Sequence, residues 1–149
     1  MALAPSREVH ETNVDFALNE VAQRGVICSI VTGTTADGEV TAVAVPTGVG
    51  VTPIGMLLGD IEDLNFDRHG EFLQRDVSDV GSVVALCNKG ELWTDRLTGT
   101  PVAGNLAYLS TNGTVSPTQA TDGVTPAPQV GKFLSGVNAN GFAKVRVDL

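Results

Sequence analysis

Positive charge is scarce in this chain. Lys and Arg together number 9, against 17 Asp and Glu, for a formal net charge of −8. A chain with that balance has no electrostatic footprint for a phosphate backbone, so nucleic acid is not an expected partner. Read along the sequence, the cations are scattered and form no stripe. Charged residues of either sign make up 17% of the chain, below the usual value of about 25%. Aromatics are few: five Phe, one Trp and one Tyr. Carbohydrate sites generally stack sugars on exposed aromatics, and most of these seven fall at core-like positions. Only two cysteines are present, Cys28 and Cys87. Neither belongs to a Cys-x-x-Cys pair and no His spacing supports zinc. Each sits in an apolar run, which favours two buried thiols acting as small hydrophobes and leaves a disulfide between them open. No apolar run approaches the roughly 20 residues a membrane-spanning helix needs. The first residues, Met1-Ala-Leu-Ala-Pro-Ser-Arg7, lack the apolar core of a secretory signal, so synthesis and initial residence in the cytosol are expected.

Catalytic text is missing as well. There is no Gly-x-Ser-x-Gly elbow. Gly131-Lys132 is followed by Phe133 rather than Ser or Thr, and so is not a phosphate loop. His69 lies two residues from Asp67, a pairing able to orient a general base, but no nucleophile accompanies it and a solvated turn is the plainer reading. Asp60, Glu62, Asp63, Asn65 and Asp67 form an oxygen-rich run that departs from the spacing of an EF-hand. They alternate with Ile61, Leu64 and Phe66, as on the wet face of a strand. Asn112-Gly-Thr114 matches a glycosylation sequon and reads more simply as a turn. No catalytic residue, metal or cofactor is expected, and the chain is not expected to be an enzyme.

What is abundant is glycine (17 residues), with Val and Thr throughout. This is the composition of strands and turns. One phrase occurs twice. Val51-Thr-Pro-Ile-Gly-Met-Leu-Leu58 returns as Val124-Thr-Pro-Ala-Pro-Gln-Val-Gly-Lys-Phe-Leu134, with two extra residues after the Pro. Aligned on Gly55 and Gly131, both copies read Val-Thr-Pro, a β-branched residue, Gly, any residue, Leu or Phe, then Leu. The apolar run Ile54–Leu58 predicts a strand buried on both faces, with Gly55 marking a bulge or a close backbone approach. The echo predicts equivalent strands in two halves of one β body.

The rest of the chain is read in the same way. Residues 1–13 form an extended N-terminal arm, and 14–149 form a single β-rich domain of ordinary size. Over residues 14–24, Val14, Leu18 and Val21 recur at helical spacing, with Thr12 as a cap and Gly25 past the end. A short helix is favoured there, the strand-like alternation of Val14, Phe16 and Leu18 being its competitor. Strands are expected at Val26–Thr32, Val40–Val45, Phe72–Val77, Val83–Cys87, Glu91–Leu97 and Leu106–Ser110. Asp37-Gly38 and Asn112-Gly113 are the hairpin turns, and a phase slip near Glu62-Asp63 suggests a bulge. Residues 116–128 read as a long surface loop. The clearest alternation is the last: Ala143, Val145, Val147 and Leu149 inward, Lys144, Arg146 and Asp148 outward. Short strands at such intervals mean an all-β fold, a compact β-barrel or β-sandwich.

Six phrases carry a family resemblance: Ala22-Gln-Arg-Gly25, Pro53-Ile-Gly-Met-Leu-Leu-Gly-Asp60, Lys89-Gly-Glu-Leu-Trp-Thr94, Ala103-Gly-Asn-Leu-Ala-Tyr-Leu-Ser110, Val130-Gly-Lys-Phe-Leu-Ser135 and Gly141-Phe-Ala-Lys-Val-Arg-Val147. Across most of residues 14–149 the chain resembles the head decoration, or cement, proteins of tailed bacteriophages. The resemblance implies a structural virion protein on the capsid exterior. It would be made in the host cytoplasm and would bridge subunits of the major capsid protein, as a trimer or dimer, without nucleic acid or membrane. It also implies capsid contact through the arm and one barrel edge, for which Arg7, Val9, Val14 and Phe16 are the candidates. Two other classes compete. A carbohydrate- or host-surface-binding β-module would use Trp93, and a hydrolase would use Asp67 and His69.

Overall fold

A computed structural model describes residues 3–5, 11–36, 40–44, 49–60, 64–66, 72–74 and 77–149, and the side chains of 11–12, 16–30, 49–58 and 77–149. The described residues are strands and turns, with no α-helix among them. In chain order the strands are β1 (Leu3–Pro5), β2 (Glu11–Leu18), β3 (Ala22–Gln23), β4 (Ile27–Ala36), β5 (Val40–Ala44), β6 (Pro53–Asp60) and β7 (Leu64–Phe66). They continue as β8 (Phe72–Gln74), β9 (Val77–Ser78), β10 (Val83–Thr94), β11 (Leu106–Leu109), β12 (Val115–Ser116), β13 (Gln129–Phe133) and β14 (Ala143–Asp148).

The strand pairings form two rings that share β10. In the first, β10 pairs with β2, β2 with β5, β5 with β4, β4 with β6, and β6 returns to the other edge of β10. In the second, the C-terminal half of β10 pairs with β14, then come β13, β11 and β12. A parallel bridge from Val115 back to Leu97, just beyond β10, closes that ring. The result is a compact all-β body of two barrels in tandem, the first using Val83–Lys89 of β10 on its β2 edge and Val84–Cys87 on its β6 edge, the second using Lys89–Thr94.

The echo in the sequence belongs to a duplication of the whole barrel. In both rings the one parallel contact has a Leu facing a Val, Leu18 with Val43 and Leu97 with Val115. Three backbone hydrogen bonds of the first barrel recur in the second. Gly25 N to Leu57 O (2.9 Å), Leu57 N to Val26 O (2.8 Å) and Ile30 N to Thr52 O (3.1 Å) become Gly104 N to Phe133 O (2.8 Å), Phe133 N to Asn105 O (2.8 Å) and Leu109 N to Pro128 O (3.0 Å). The bulges coincide too. Ile54 is the extra residue where β6 meets β4, and Val130 is the extra residue where β13 meets β11. The echoed strands are thus equivalent, as expected, but they are not neighbours; β10 and β14 lie between them.

The two-sided burial of Ile54–Leu58 has a specific cause. Strands β4, β6 and β10 form a wall between two cores. Cys28, Leu57 and Leu86 face one core with Leu18, Val26 and Val84. The row beside them, Ile27, Met56 and Cys87, joins the other core with Leu92, Val115, Phe133, Val145 and Val147. Each face of the wall needs an apolar side chain at every position, so period-2 alternation disappears there.

The helix favoured over residues 14–24 is not formed. Glu11–Leu18 is a strand and Ala22–Gln23 another. A helix would have turned Val21 inward with Leu18; Val21 is instead 57% exposed while Leu18 is 2% exposed. The backbone of Leu18 bonds in both directions across to Ser82 O and Gly81 N. Tertiary pairing with β10 overrides a weak local pattern. The strand also begins at Glu11, inside the stretch assigned to the arm, and Leu3–Pro5 pairs antiparallel with Leu92–Thr94.

Asn112-Gly113 forms the expected turn. Both residues have positive φ (56° and 72°), and Thr114 N bonds back to Thr111 O between β11 and β12. That is the geometry of a primed hairpin turn. Strands β4 and β5 pair on either side of Asp37-Gly38; the turn itself, like the bulge expected at Glu62-Asp63, lies outside the described residues. The final strand alternates as read: Ala143, Val145 and Val147 are buried, Arg146 and Asp148 exposed. Within the long loop, Asp122 folds residues 121–126 into a tight turn, its carboxylate accepting from Val124 N and Thr125 N. These bonds hold its carboxyl below the usual range.

Candidate functional site

The cations that look scattered in sequence are gathered by the fold. On the outside of the second barrel, cross-strand register places Glu91, Arg146, Lys132 and Leu106 in one row over β10, β14, β13 and β11. Lys89 faces Asp148 in the row on one side, and Trp93 faces Lys144 in the row on the other. Four cations, Lys89, Lys132, Lys144 and Arg146, therefore share one sheet face of a chain whose net charge is −8. Lys144 Nζ sits 2.6 Å from Glu91 Oε2, and both side chains are mostly buried. Lys132 and Arg146 are exposed and directly opposed. Two shallow hollows flank Arg146 and Asp148: one of about 320 Å³ beside Lys132, Gln129 and Leu106, and one of about 300 Å³ beside Lys89, Glu91 and Glu11. This arrangement can hold a carboxylate-bearing partner by paired charge-assisted bonds. It contains no nucleophile–base pair.

The candidates read from the sequence lie elsewhere. Arg7 and Val9 fall outside the described residues, as do Asp67 and His69. Val14 is placed in β2 by its backbone alone. Phe16 is half-buried, packed against the first core. Trp93 is half-buried. Among the described residues no group of three or more His, Cys, Asp or Glu side chains is positioned for a metal. The cationic face was hidden in sequence because its members come from three strands; only the Lys144–Arg146 alternation hinted at it.

Cys28 and Cys87 are free and buried, and they face opposite cores, which accounts for the absence of a disulfide. Burial pushes the Cys28 thiol up to about 12, with Glu20 adding in the same direction, and pushes Cys87 up to about 11. Above about pH 9 the unfolded thiols ionise while the folded ones stay protonated, so stability should fall as pH rises from about 9 through 11–12. For Cys28 the slope is on the order of 1.4 kcal/mol per pH unit. Urea midpoints between pH 8.5 and 10.5 measure it. Cys28→Ala should lower stability near pH 8.5 and flatten the slope, so that the difference from wild type shrinks as pH rises; an unchanged slope would assign the alkaline loss to other groups.

Compared with family models and with curated protein sequences, the chain matches none significantly.

Proposed function

We propose that this chain is a structural virion protein that binds the outer surface of a tailed-phage capsid and stabilises the shell by bridging major capsid protein subunits. The observation that carries the reading is where the family-like phrases fall. Pro53–Asp60 and Val130–Ser135 cover the two bulged strands, Lys89–Thr94 is the second barrel's half of the shared strand, and Ala103–Ser110 and Gly141–Val147 are the strands around them. The phrases that carry the resemblance thus fall on strands that build the double barrel. A compact all-β body with a continuous ladder suits a molecule whose work is to span subunits. The pairing of Leu3–Pro5 with β10 supports the arm as a strand-forming element, the chemistry by which an extended segment adds to a sheet edge. Several weak contacts per oligomer would sum to firm attachment through effective concentration.

The test is co-sedimentation with purified heads lacking the protein. The full chain should bind and raise the temperature at which heads release DNA. A deletion probing the arm must stop at residue 10, because Glu11–Leu18 closes the first barrel. Removing residues 1–10 should leave a cooperative thermal transition and weaken head binding at least tenfold. Undiminished binding would exclude the arm. No binding by the full chain, with unchanged head stability, would exclude the function.

A further inference from the structure

We propose that the outer face of the second barrel is the docking surface for the acidic segment 60–67 of a second copy of this chain, so that copies join head to tail.

The duplication supplies the first argument. The row Leu106, Lys132, Arg146 on the second barrel is equivalent, strand for strand, to the row Ile27, Met56, Cys87 on the first. The first-barrel row is 0% exposed, because the second core covers it. The second-barrel row is the uncovered end of the stack, with Leu106 43% exposed. Two of the three positions, Met56 and Cys87 where the chain covers the row, are Lys132 and Arg146 where it does not.

The second argument is electrostatic. Like charges directly opposed across strands destabilise a sheet. Lys132 and Arg146 are so opposed, and among the described residues neither has an ion-pair partner. A carboxylate-rich partner seated in the hollow beside them would turn that repulsion into attraction.

The chain carries such a partner. Asp60-Ile-Glu-Asp-Leu-Asn-Phe-Asp67 has four carboxylates and no cation. Beyond Asp60, the last residue of β6, it belongs to an insertion peculiar to the first barrel. Residues 61–82 join β6 to β10, whereas residues 134–142 suffice between the equivalent β13 and β14. Within the insertion β7 and β8 form a two-stranded sheet of their own. Its position favours a contact between copies. Strand β6 runs antiparallel to β10, passing Cys87 at Met56 and Val84 at Asp60. It therefore leaves at the end of β10 remote from Lys89–Thr94. At about 3.3 Å per residue, Val84 and Glu91 are roughly 23 Å apart along the strand. A surface and its complement on different parts of one molecule give a heterologous contact, which closes into a ring when the rotation allows.

This contact stands apart from the capsid reading, and the isolated protein tests it. By sedimentation, the full chain at low salt should show a native mass that is a multiple of 15.4 kDa, falling toward the monomer as salt shortens the screening length. Lys132→Glu with Arg146→Glu should give a monomer, and so should Glu62→Lys with Asp63→Lys. An equimolar mixture of the two variants restores both charge pairings and should re-associate, an outcome that misfolded variants could not give. A monomeric wild type, variants that keep the wild-type mass, or a mixture that stays monomeric would each overturn the proposal. Loss of head binding by Lys132→Glu/Arg146→Glu with its mass unchanged would assign the face to the capsid instead.

Discussion

Gly131→Ala is expected to destabilise the protein on the order of 3 kcal/mol or more, a large share of the roughly 5–15 kcal/mol by which an ordinary domain is stable. A Cβ at this position would run into the carbonyl oxygen of Arg146 and also meet the Cα of Val147. These are backbone atoms of β14, held by the ladder, and no side chain can swing aside to make room. Gly131 also has φ +159°, next to the bulge at Val130. The equivalent change in the first barrel, Gly55→Ala, should cost less, about 1–3 kcal/mol. There the added Cβ would lie 2.9 Å from Leu86 Cβ and 3.1 Å from Cys87 O, and a small shift between strands relieves part of it. Urea denaturation followed by Trp93 fluorescence measures both. A loss below about 1 kcal/mol for Gly131→Ala would mean that β13 and β14 are not so closely apposed.

Phe133→Ala should cost about 3–5 kcal/mol and Leu57→Ala about 2–5. The two residues are equivalents, each fully buried at the centre of its own core, and each truncation leaves a cavity that strands fixed on both sides cannot collapse. The shared strand makes a sharper expectation. Because β10 supplies a wall to both rings, and Ile27, Met56 and Cys87 of the first barrel complete the core of the second, neither barrel can open without exposing the other. Both variants should therefore unfold in one transition, coincident by Trp93 fluorescence and by far-ultraviolet circular dichroism. A Phe133→Ala variant that melts in two steps, retaining half its strand signal after Trp93 is exposed, would show that sharing a strand does not couple the barrels.

Much of this architecture is legible before folding. Ala143–Asp148 could be assigned to a half-buried strand, with its faces correct, since period-2 alternation is a local property that needs only one core and one solvent side. Asn112-Gly113 specified its turn because few residue pairs accept positive φ in succession. The echo around Gly55 and Gly131 marked two equivalent strands. Its glycines signalled close backbone approach, which the neighbouring carbonyls of Cys87 and Arg146 supply.

Other features depended on partners far away in the chain. Residues 14–24 carry a helical spacing and a strand alternation together, and only the hydrogen bonds of Leu18 to Ser82 and Gly81 decide between them. The duplication of the whole barrel escaped the sequence because what repeats is a network of backbone bonds, which many side-chain sets satisfy; Leu57 and Phe133 hold the same place with different volumes. The cationic face escaped for a related reason. Lys132 and Arg146 become neighbours through the register of β13 on β14, and a shift of one residue would turn one of them inward. The sequence by itself determined a β-rich chain with its Asn112-Gly113 turn, its final strand and a pair of equivalent strands, because those follow from local sterics and hydrophobic period. Only the tertiary structure decided that the strands close as two barrels on one shared strand, and that the second barrel's outer face gathers positive charge, because long-range pairing and register set both.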